Sequence, residues 1–277
     1  TIESVYSVMY NNPNFSEFFE LCQTDEEVLK ELGITSTSEK NKYQIFVNNK
    51  GLPCYDHNTG RQVNSATNVR FFSNFRYTVY IPTNDAMKMA EKAGLPTWQK
   101  LRDALQLDLD PEDRRDVSES EIEKMKAQAV EIINFLKNHF QDNSVFADTP
   151  ARKETAYETA TIVTSEVTSD DEESTGGGTG VYSKIYVSSN GNGTLAVRDA
   201  NGDTHHITGD KNIIARDYIT DGKSNAKDNK IVSSSSAVIH GIDGVLNYRK
   251  LTNGRYDTAW ATAAKAKKFN KKYRLIK

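Results

Sequence analysis

Helical and strand signals are largely segregated along this chain, and their order is the feature that most constrains its fold. The strongest helical signal begins with a capping box, Ser118 to Glu121, and continues to about His139. It predicts a helix that buries a single stripe, formed by Ile122, Met125, Ala129, Ile133, Leu136 and Phe140. The strongest hairpin signal, Asn201-Gly202, lies between two strand-forming runs far downstream. Helices first and antiparallel strands mostly later predict an α+β fold.

Shorter patterns extend the same plan. Helical spacing of apolar residues recurs over residues 1–10, 14–22, 24–33 and 97–105, with Thr24 to Glu27 as a second capping box. Runs of β-prone residues bounded by turn residues predict strands over 43–47, 69–81, 185–187, 194–197 and 237–246. A mean hydropathy of −0.65 indicates that much of the chain forms loops, hairpins and exposed helix faces.

The charge balance excludes several classes of function. The chain has 35 Lys and Arg against 38 Asp and Glu, a formal net charge of −3. A nucleic-acid-binding protein would normally be basic, so we expect no nucleic-acid partner. No apolar run approaches the roughly 18 residues needed to span a bilayer. Membrane association is therefore expected only through an anchor outside this sequence.

Two stretches differ in composition from the rest of the chain. Residues 164–180 are polar, acidic and rich in glycine, which predicts a mobile excursion. Residues 249–277 carry ten Lys and Arg against Asp257 alone, and a helix over 259–268 is expected there. Its most basic part, 265–277, predicts a solvated tail, with contact to a phosphate, an anionic lipid or an acidic glycan as the alternative.

The cysteines and the start of the chain give weaker signals. Cys22 ends an apolar helical face and Cys54 lies in a turn-rich segment, so two free thiols are expected, with a bridge between them as the alternative. The chain starts at Thr1, without a Met or a signal peptide. We expect either that a signal and an anchor were removed or that the chain is part of a longer protein.

No pattern of catalytic, cofactor-binding or metal-binding residues stands out. The run from Gly176 to Gly180 lacks the strand and helix that flank a phosphate-binding loop, and a flexible loop is expected. Asp199, Asn201 and Asp203 have the spacing of a calcium loop but not its Gly, its Glu or its flanking helices. A hairpin turn explains the same three residues. We therefore expect no cofactor and no metal ion.

The histidines also favour structural roles. His205 and His206 are adjacent in a strand, so their side chains point to opposite faces. His139 and His240 lie in apolar surroundings, which favours hydrogen-bonded core residues over metal ligands. Because no known nucleophile or zinc-protease motif is present either, the sequence predicts that the protein is not an enzyme.

Three segments carry a resemblance to a known family. Residues 77–87 resemble the first box of the fasciclin (FAS1) domain, a strand that runs into Pro-Thr-Asn-x-Ala and a helix. Residues 134–139 resemble its central Tyr-His region, and residues 237–246 are similar to its closing box. The resemblance implies antiparallel sheets that form a wedge, with N-terminal and central helices packed against them. It spans residues 1–247, with insertions at about 34–72 and 142–181 and a basic extension over 248–277.

The motif residues are expected to form the frame of the domain. Pro82 lacks a ladder donor and ends a strand, so Thr83 or Asn84 can cap the next helix. His139 can donate to a backbone carbonyl or to the turn at 83–84, and Asp243 can accept backbone N–H groups. The full set of frame residues implied by the resemblance is Thr78, Pro82, Thr83, Asn84, Ala86, His139, Ile239, His240, Ile242, Asp243 and Leu246.

The chain also departs from the family pattern. Tyr80-Ile81 stands where the family usually has Phe-Ala, and Met87 where it has Phe. Asn138 replaces the Tyr of the Tyr-His pair, so an integrin-type recognition role of that pair is not carried over. The resemblance implies a non-catalytic extracellular module for adhesion or ligand binding, such as a bacterial cell-surface lipoprotein anchored to an outer membrane. Neighbouring domains of a longer chain are possible partners.

Three functions are compared on these grounds. The leading hypothesis is adhesion to a protein ligand through the inserted segments. The alternative is a glycan-binding module of a bacterial system that handles surface polysaccharides. Its stacking platform would be formed by exposed aromatic residues, of which the candidates are Tyr55, Phe71, Phe72, Phe75 and Tyr80. The third, a hydrolase with a pair of carboxylates, has the least support.

Overall fold

A computed structural model describes residues 2–48, 51–72, 75–163, 181–223, 227 and 229–256. The predicted loop at 176–180, the predicted helix at 259–268 and the basic tail at 265–277 lie outside these residues. The described part is a mixed α+β structure with helices packed on a curled sheet, as the order of the sequence signals predicts.

Side-chain caps fix where most helices begin. Asp25 accepts a hydrogen bond from Val28 N–H, one residue later than the predicted cap at Thr24, whose hydroxyl donates instead to Tyr43 O. Ser118 caps the long helix as predicted, through Glu121 N–H. The helices are α1 (Val5–Asn11), α2 (Ser16–Cys22), α3 (Glu26–Glu31), α4 (Thr37–Asn41), α5 (Asn84–Lys92), α6 (Trp98–Leu105) and α7 (Glu119–Lys137).

Helix α7 is more deeply buried than the sequence predicts. Its apolar stripe is buried or partly buried as expected, but Val130 to Lys137 are buried on every side of the helix. Thr161 donates to Asn134 O on one side, while Arg249 binds Glu131 on another. The prediction of one buried stripe is therefore wrong for the last two turns. These turns lie between the sheet and the segment 248–256.

The strands of the described residues are β1 (Phe46–Val47), β2 (Cys54–Tyr55), β3 (Gln62–Asn64), β4 (Asn68–Val69), β5 (Arg76–Pro82), β6 (Phe140–Asp142), β7 (Arg152–Val163), β8 (Val181–Ser189), β9 (Leu195–Arg198), β10 (Thr204–His206), β11 (Ile213–Thr220) and β12 (Ile231–Ile242). Eight of these strands form one sheet, in the order β10-β9-β8-β7-β6-β5-β12-β11, and the other four form two small ladders, β1-β4 and β2-β3. The β8-β9 and β9-β10 hairpins are confirmed, and Gly202 turns the second with φ +94°.

One strand pair departs from the predicted antiparallel arrangement. Strands β5 and β12 are parallel, with Val79 opposite Ile239 and Pro82 opposite Ile242. A parallel pair needs a long crossover, and the crossover here contains α5, α6, α7 and six strands of the sheet. Strand β12 also begins at Ile231, six residues before the predicted start, because its first half pairs with β11.

The sheet curls until the segment after its edge strand β10 reaches β12, which lies next to the opposite edge. Ile207, just after β10, forms a bridge with Ile242 of β12. Thr208 N–H then donates to Gly241 O at 2.8 Å, and Gly241 N–H donates to Asp210 O at 2.6 Å. The curl encloses a small core of Tyr80, Val145, Ala147, Ile185, Val187, Leu195, Val197, Ile207, Ile242 and Leu246. A larger core fills the space between the sheet and the helices.

All three predicted additions to the domain contribute to this structure where they are described. Ile45 and Val69, from the segment 34–72, and Tyr248 and Tyr256, from the segment 248–256, are buried in the larger core. The segment 142–181 supplies β7, a central strand of the sheet. Cys22 and Cys54 are buried free thiols, as expected.

Replacement of Gly241 by alanine is expected to destabilise the fold by about 1–3 kcal/mol, because there is no room for a methyl group where the segment after β10 meets β12. An added Cβ would overlap Thr208 Oγ1 and would lie 3.3 Å from a ring carbon of Phe15. Urea unfolding measures the loss. Gly209→Ala is the matched control, since nothing lies within 4 Å of its added Cβ. Equal losses in the two variants would contradict the prediction.

Candidate functional site

The three segments singled out in the sequence meet at one place, which we call the motif seam (residues 78–83, 139 and 239–246). Strands β5 and β12 lie side by side, and Thr83 N–H donates to Ile242 O at 2.9 Å. Tyr80 N–H donates to His139 O, also at 2.9 Å. Leu246 N–H donates to His139 Nε2 at 2.9 Å. Residues more than 100 positions apart in the sequence therefore form one continuous structural unit.

Both ring nitrogens of His139 form hydrogen bonds that stabilise this seam. Its Nε2 must be unprotonated because it accepts from Leu246 N–H, so Nδ1 carries the proton and donates to Phe135 O at 2.9 Å. The predicted bond to a backbone carbonyl is thus confirmed, whereas the alternative partner at 83–84 is not used. Burial lowers the pKa of His139 to about 3, so the ring is neutral at physiological pH.

His240 is a second buried histidine whose ring nitrogens are both engaged. Its Nδ1 accepts from Asn212 N–H at 3.1 Å, and its Nε2 lies 2.7 Å from Val145 O, to which it donates. Burial lowers its pKa as well. Neither His139 nor His240 retains a ring nitrogen for a substrate or a metal ion, which matches the prediction of hydrogen-bonded core residues.

The other polar motif residues join elements in the same way. Thr83 caps α5 by accepting from Ala86 N–H, and Asn84 ties α5 to α2 by accepting from Glu17 N–H at 3.0 Å. Asp243 accepts His206 N–H at 2.9 Å, as predicted. Thr78 Oγ1 donates to Asn143 O and accepts from Val145 N–H. The apolar frame residues are buried, namely Ala86, Ile239, Ile242 and Leu246.

The five aromatic residues proposed as a glycan platform are not brought together on the surface. Phe71 and Tyr80 are buried, and the Tyr80 hydroxyl donates to Gln141. Tyr55 and Phe75 are 48% and 54% exposed. The ring planes of Phe72 and Phe75 are inclined at 64°, so even these neighbours do not form a flat stacking surface. The predicted platform is therefore wrong for Phe71 and Tyr80. Phe71 packs against Phe140 in the larger core, and Tyr80 lies in β5, which is buried on both faces from Tyr77 onwards.

A wide surface groove lies between α2, the start of α3, the end of α5 and the start of α6. We call it the acidic groove (Glu17, Glu20, Leu21, Asp25, Glu91 and Trp98), and its volume is about 740 Å³. Leu21 and the buried ring of Trp98 are apolar parts of its lining, and Trp98 Nε1 is fixed by a hydrogen bond to Leu21 O at 3.0 Å. The sequence did not predict this groove, because its walls come from segments about 70 residues apart.

The charges on the rim of the acidic groove are unbalanced. Arg102 is shared among Asp25, Glu27 and Asp108, at 3.0, 3.1 and 2.9 Å. Lys100 directs its ammonium group to two backbone carbonyls. Within the described part of the chain, the carboxylates of Glu17, Glu20 and Glu91 form no ion pair or side-chain hydrogen bond.

The electrostatics of Glu91 reflect this excess of negative charge. Its pKa is raised, first because it is partly buried and then because Glu17 and Glu20 lie nearby, although Lys100 works in the opposite direction. A cationic partner would relieve this repulsion. The acidic groove is therefore suited to a positively charged ligand.

The remaining candidate sites have structural explanations. Asp199 is buried and accepts hydrogen bonds from the backbone N–H groups of Asn201, Asp203 and Asn247. As predicted, Asp199, Asn201 and Asp203 belong to a hairpin turn. In the described ranges, no group of three or more His, Cys, Asp or Glu side chains is placed to hold a metal ion. None of the helices described is both long enough and apolar enough to cross a membrane.

Comparison with known proteins adds no relative. The chain matches no protein-family model and no curated protein. The fold and the two sites define it as an α+β protein with a curled eight-stranded sheet, a motif seam made of buried frame residues and an exposed acidic groove.

Proposed function

We propose that this chain is a fasciclin-like, non-catalytic module of an extracellular surface that binds a protein ligand. The observation that carries the proposal is the motif seam. Three segments that resemble fasciclin boxes are distant in sequence, yet they adjoin through β5, β12 and His139. Such adjacency is expected if the three boxes are the frame of one fasciclin-like domain.

The chemistry of the described residues supports a binding role over catalysis. The two buried imidazoles use their ring nitrogens for backbone hydrogen bonds, so they are not available as a general acid or base. The acidic groove is open and has a charged rim, which suits a segment of a macromolecule better than an enclosed small substrate. An outer-membrane or cell-surface location is part of the same proposal and follows from the resemblance.

Parallel binding assays test the proposal. The full chain is applied to immobilised matrix proteins and to a glycan array in the same buffer, and saturable binding to at least one protein is expected. The triple variant Glu17→Gln/Glu20→Gln/Glu91→Gln shows whether the groove contributes. Its matched control is Glu112→Gln/Asp113→Asn/Glu119→Gln, which removes three exposed carboxylates outside the groove.

The outcomes are distinct. Binding to glycans without binding to any protein would favour the alternative module for surface polysaccharides. The absence of binding in both assays would contradict a ligand-binding role. Protein binding that survives both triple variants would support adhesion and assign the contact surface to another part of the molecule.

A further inference from the structure

The C-terminal end of the described chain is fixed next to the acidic groove. Tyr256 is buried, and its N–H donates to Ala93 O at 2.9 Å, immediately after α5. Arg255 Nη1 donates to Lys92 O at 3.4 Å. Glu91, one residue further back along α5, belongs to the wall of the groove. The described chain therefore ends beside the C-terminal end of α5, next to the acidic groove.

The sequence that follows has the complementary charge. Residues 257–277 contain seven Lys and Arg, and Asp257 is their single acid. The lining of the groove contains five carboxylates and two basic side chains, and both of the latter are already bonded within the described structure. At up to about 3.3 Å for each residue, a segment of this length can reach every part of the groove.

We propose that residues 258–277 bind in the acidic groove of the same chain, with their Lys and Arg side chains next to Glu17, Glu20 and Glu91. Ion pairs at a surface are individually weak, but a tether raises the effective concentration of the segment to about the millimolar range. The contact weakens as salt screens the charges. Any cationic ligand of the groove would compete with this segment for the same carboxylates. The proposal is independent of the function proposed above.

Zero-length cross-linking with a carbodiimide tests the contact in the full chain. The reagent joins a lysine amine to a nearby carboxylate as an amide, and peptide mass spectrometry identifies each pair. Cross-links from lysines in 265–277 are expected at Glu17, Glu20 and Glu91 at about five times or more the yield at Glu112, Asp113 and Glu119, because tethered binding concentrates the segment at one place. The Lys126–Glu123 pair, 3.5 Å apart, serves as an internal standard in low and high salt.

Two additions make each result decisive. An equal mixture of ¹⁴N and ¹⁵N chains should give groove cross-links within one isotopic species, and mixed species would overturn the proposal in favour of a second copy. In the variant Glu17→Gln/Glu20→Gln/Glu91→Gln, the groove cross-links should be lost, and only the background yield at Glu112, Asp113 and Glu119 should remain. Circular dichroism verifies that the variant is folded. Even labelling of all exposed carboxylates by the wild type, or no cross-link from 265–277, would also overturn the proposal.

Discussion

Acid is expected to destabilise the fold by about 4 kcal/mol between pH 6.5 and pH 3 through His139 alone. In the unfolded chain, this imidazole takes up a proton near its ordinary pKa of 6.5. In the folded protein, burial lowers the pKa to about 3, and Leu246 N–H occupies the nitrogen that would be protonated. The contribution is therefore complete above pH 6.5 and is lost as the pH falls towards 3.

The variant His139→Gln isolates this effect, because glutamine has a donor and an acceptor but does not titrate. Urea unfolding at pH 7 and pH 4 should show that the wild type loses about 3 kcal/mol more than the variant over this interval. Burial raises the pKa of Asp217 to about 6, which acts in the opposite direction, but this residue is common to both proteins. The control His57→Gln removes an exposed imidazole. Parallel pH profiles for wild type and His139→Gln would contradict the prediction.

Replacement of Arg249 by methionine is expected to cost about 3–5 kcal/mol of stability, because it removes one partner of a buried ion pair. Arg249 Nη2 lies 2.9 Å from Glu131 Oε1, and the two side chains are only 11% and 3% exposed. The Tyr248 hydroxyl donates to the other oxygen of the same carboxylate. Loss of the guanidinium leaves the Glu131 charge in the core without its ion pair, and it weakens the attachment of the segment 248–256 to α7.

Thermal and urea unfolding measure this loss. Arg115→Met is the control, because Arg115 pairs with Glu121 at 3.5 Å with side chains 60% and 41% exposed, and a loss below about 1 kcal/mol is expected there. The double variant Glu131→Leu/Arg249→Met should recover much of the stability, since a buried pair can be replaced by apolar residues. The prediction fails if the two arginine variants lose equal stability.

The structure agrees best with those sequence signals that are local. The cap at Ser118 and the turn at Asn201-Gly202 depend on residues within a few positions of each other, and both were predicted correctly. The structural use of His139 and His240 also followed from their apolar surroundings. In each case the short-range pattern contains the physical cause, which is a capping bond, a left-handed glycine or a buried polar ring.

Features that depend on distant partners were missed. The parallel pairing of β5 and β12 joins strands with nearly 150 residues between them, so no turn signal marks it. Glu131 and Arg249 are 118 residues apart, and an acidic residue in a helix normally predicts an exposed position. The acidic groove likewise needs four helices from two segments. The seam itself was foreseen only as a set of motif residues, not as a contact between strands.

The position of β12 has a consequence for how the chain reaches its native state. This strand is the last of the sheet to be synthesised, yet it lies between β5 and β11 rather than at an edge. Before residues 231–242 are present, β5 and β11 cannot form the hydrogen bonds that they make with β12. The bridge between Ile207 and Ile242 cannot form either. Contacts over such long sequence separations slow folding. We therefore expect the described unit to assemble late and cooperatively, with its sheet incomplete throughout synthesis.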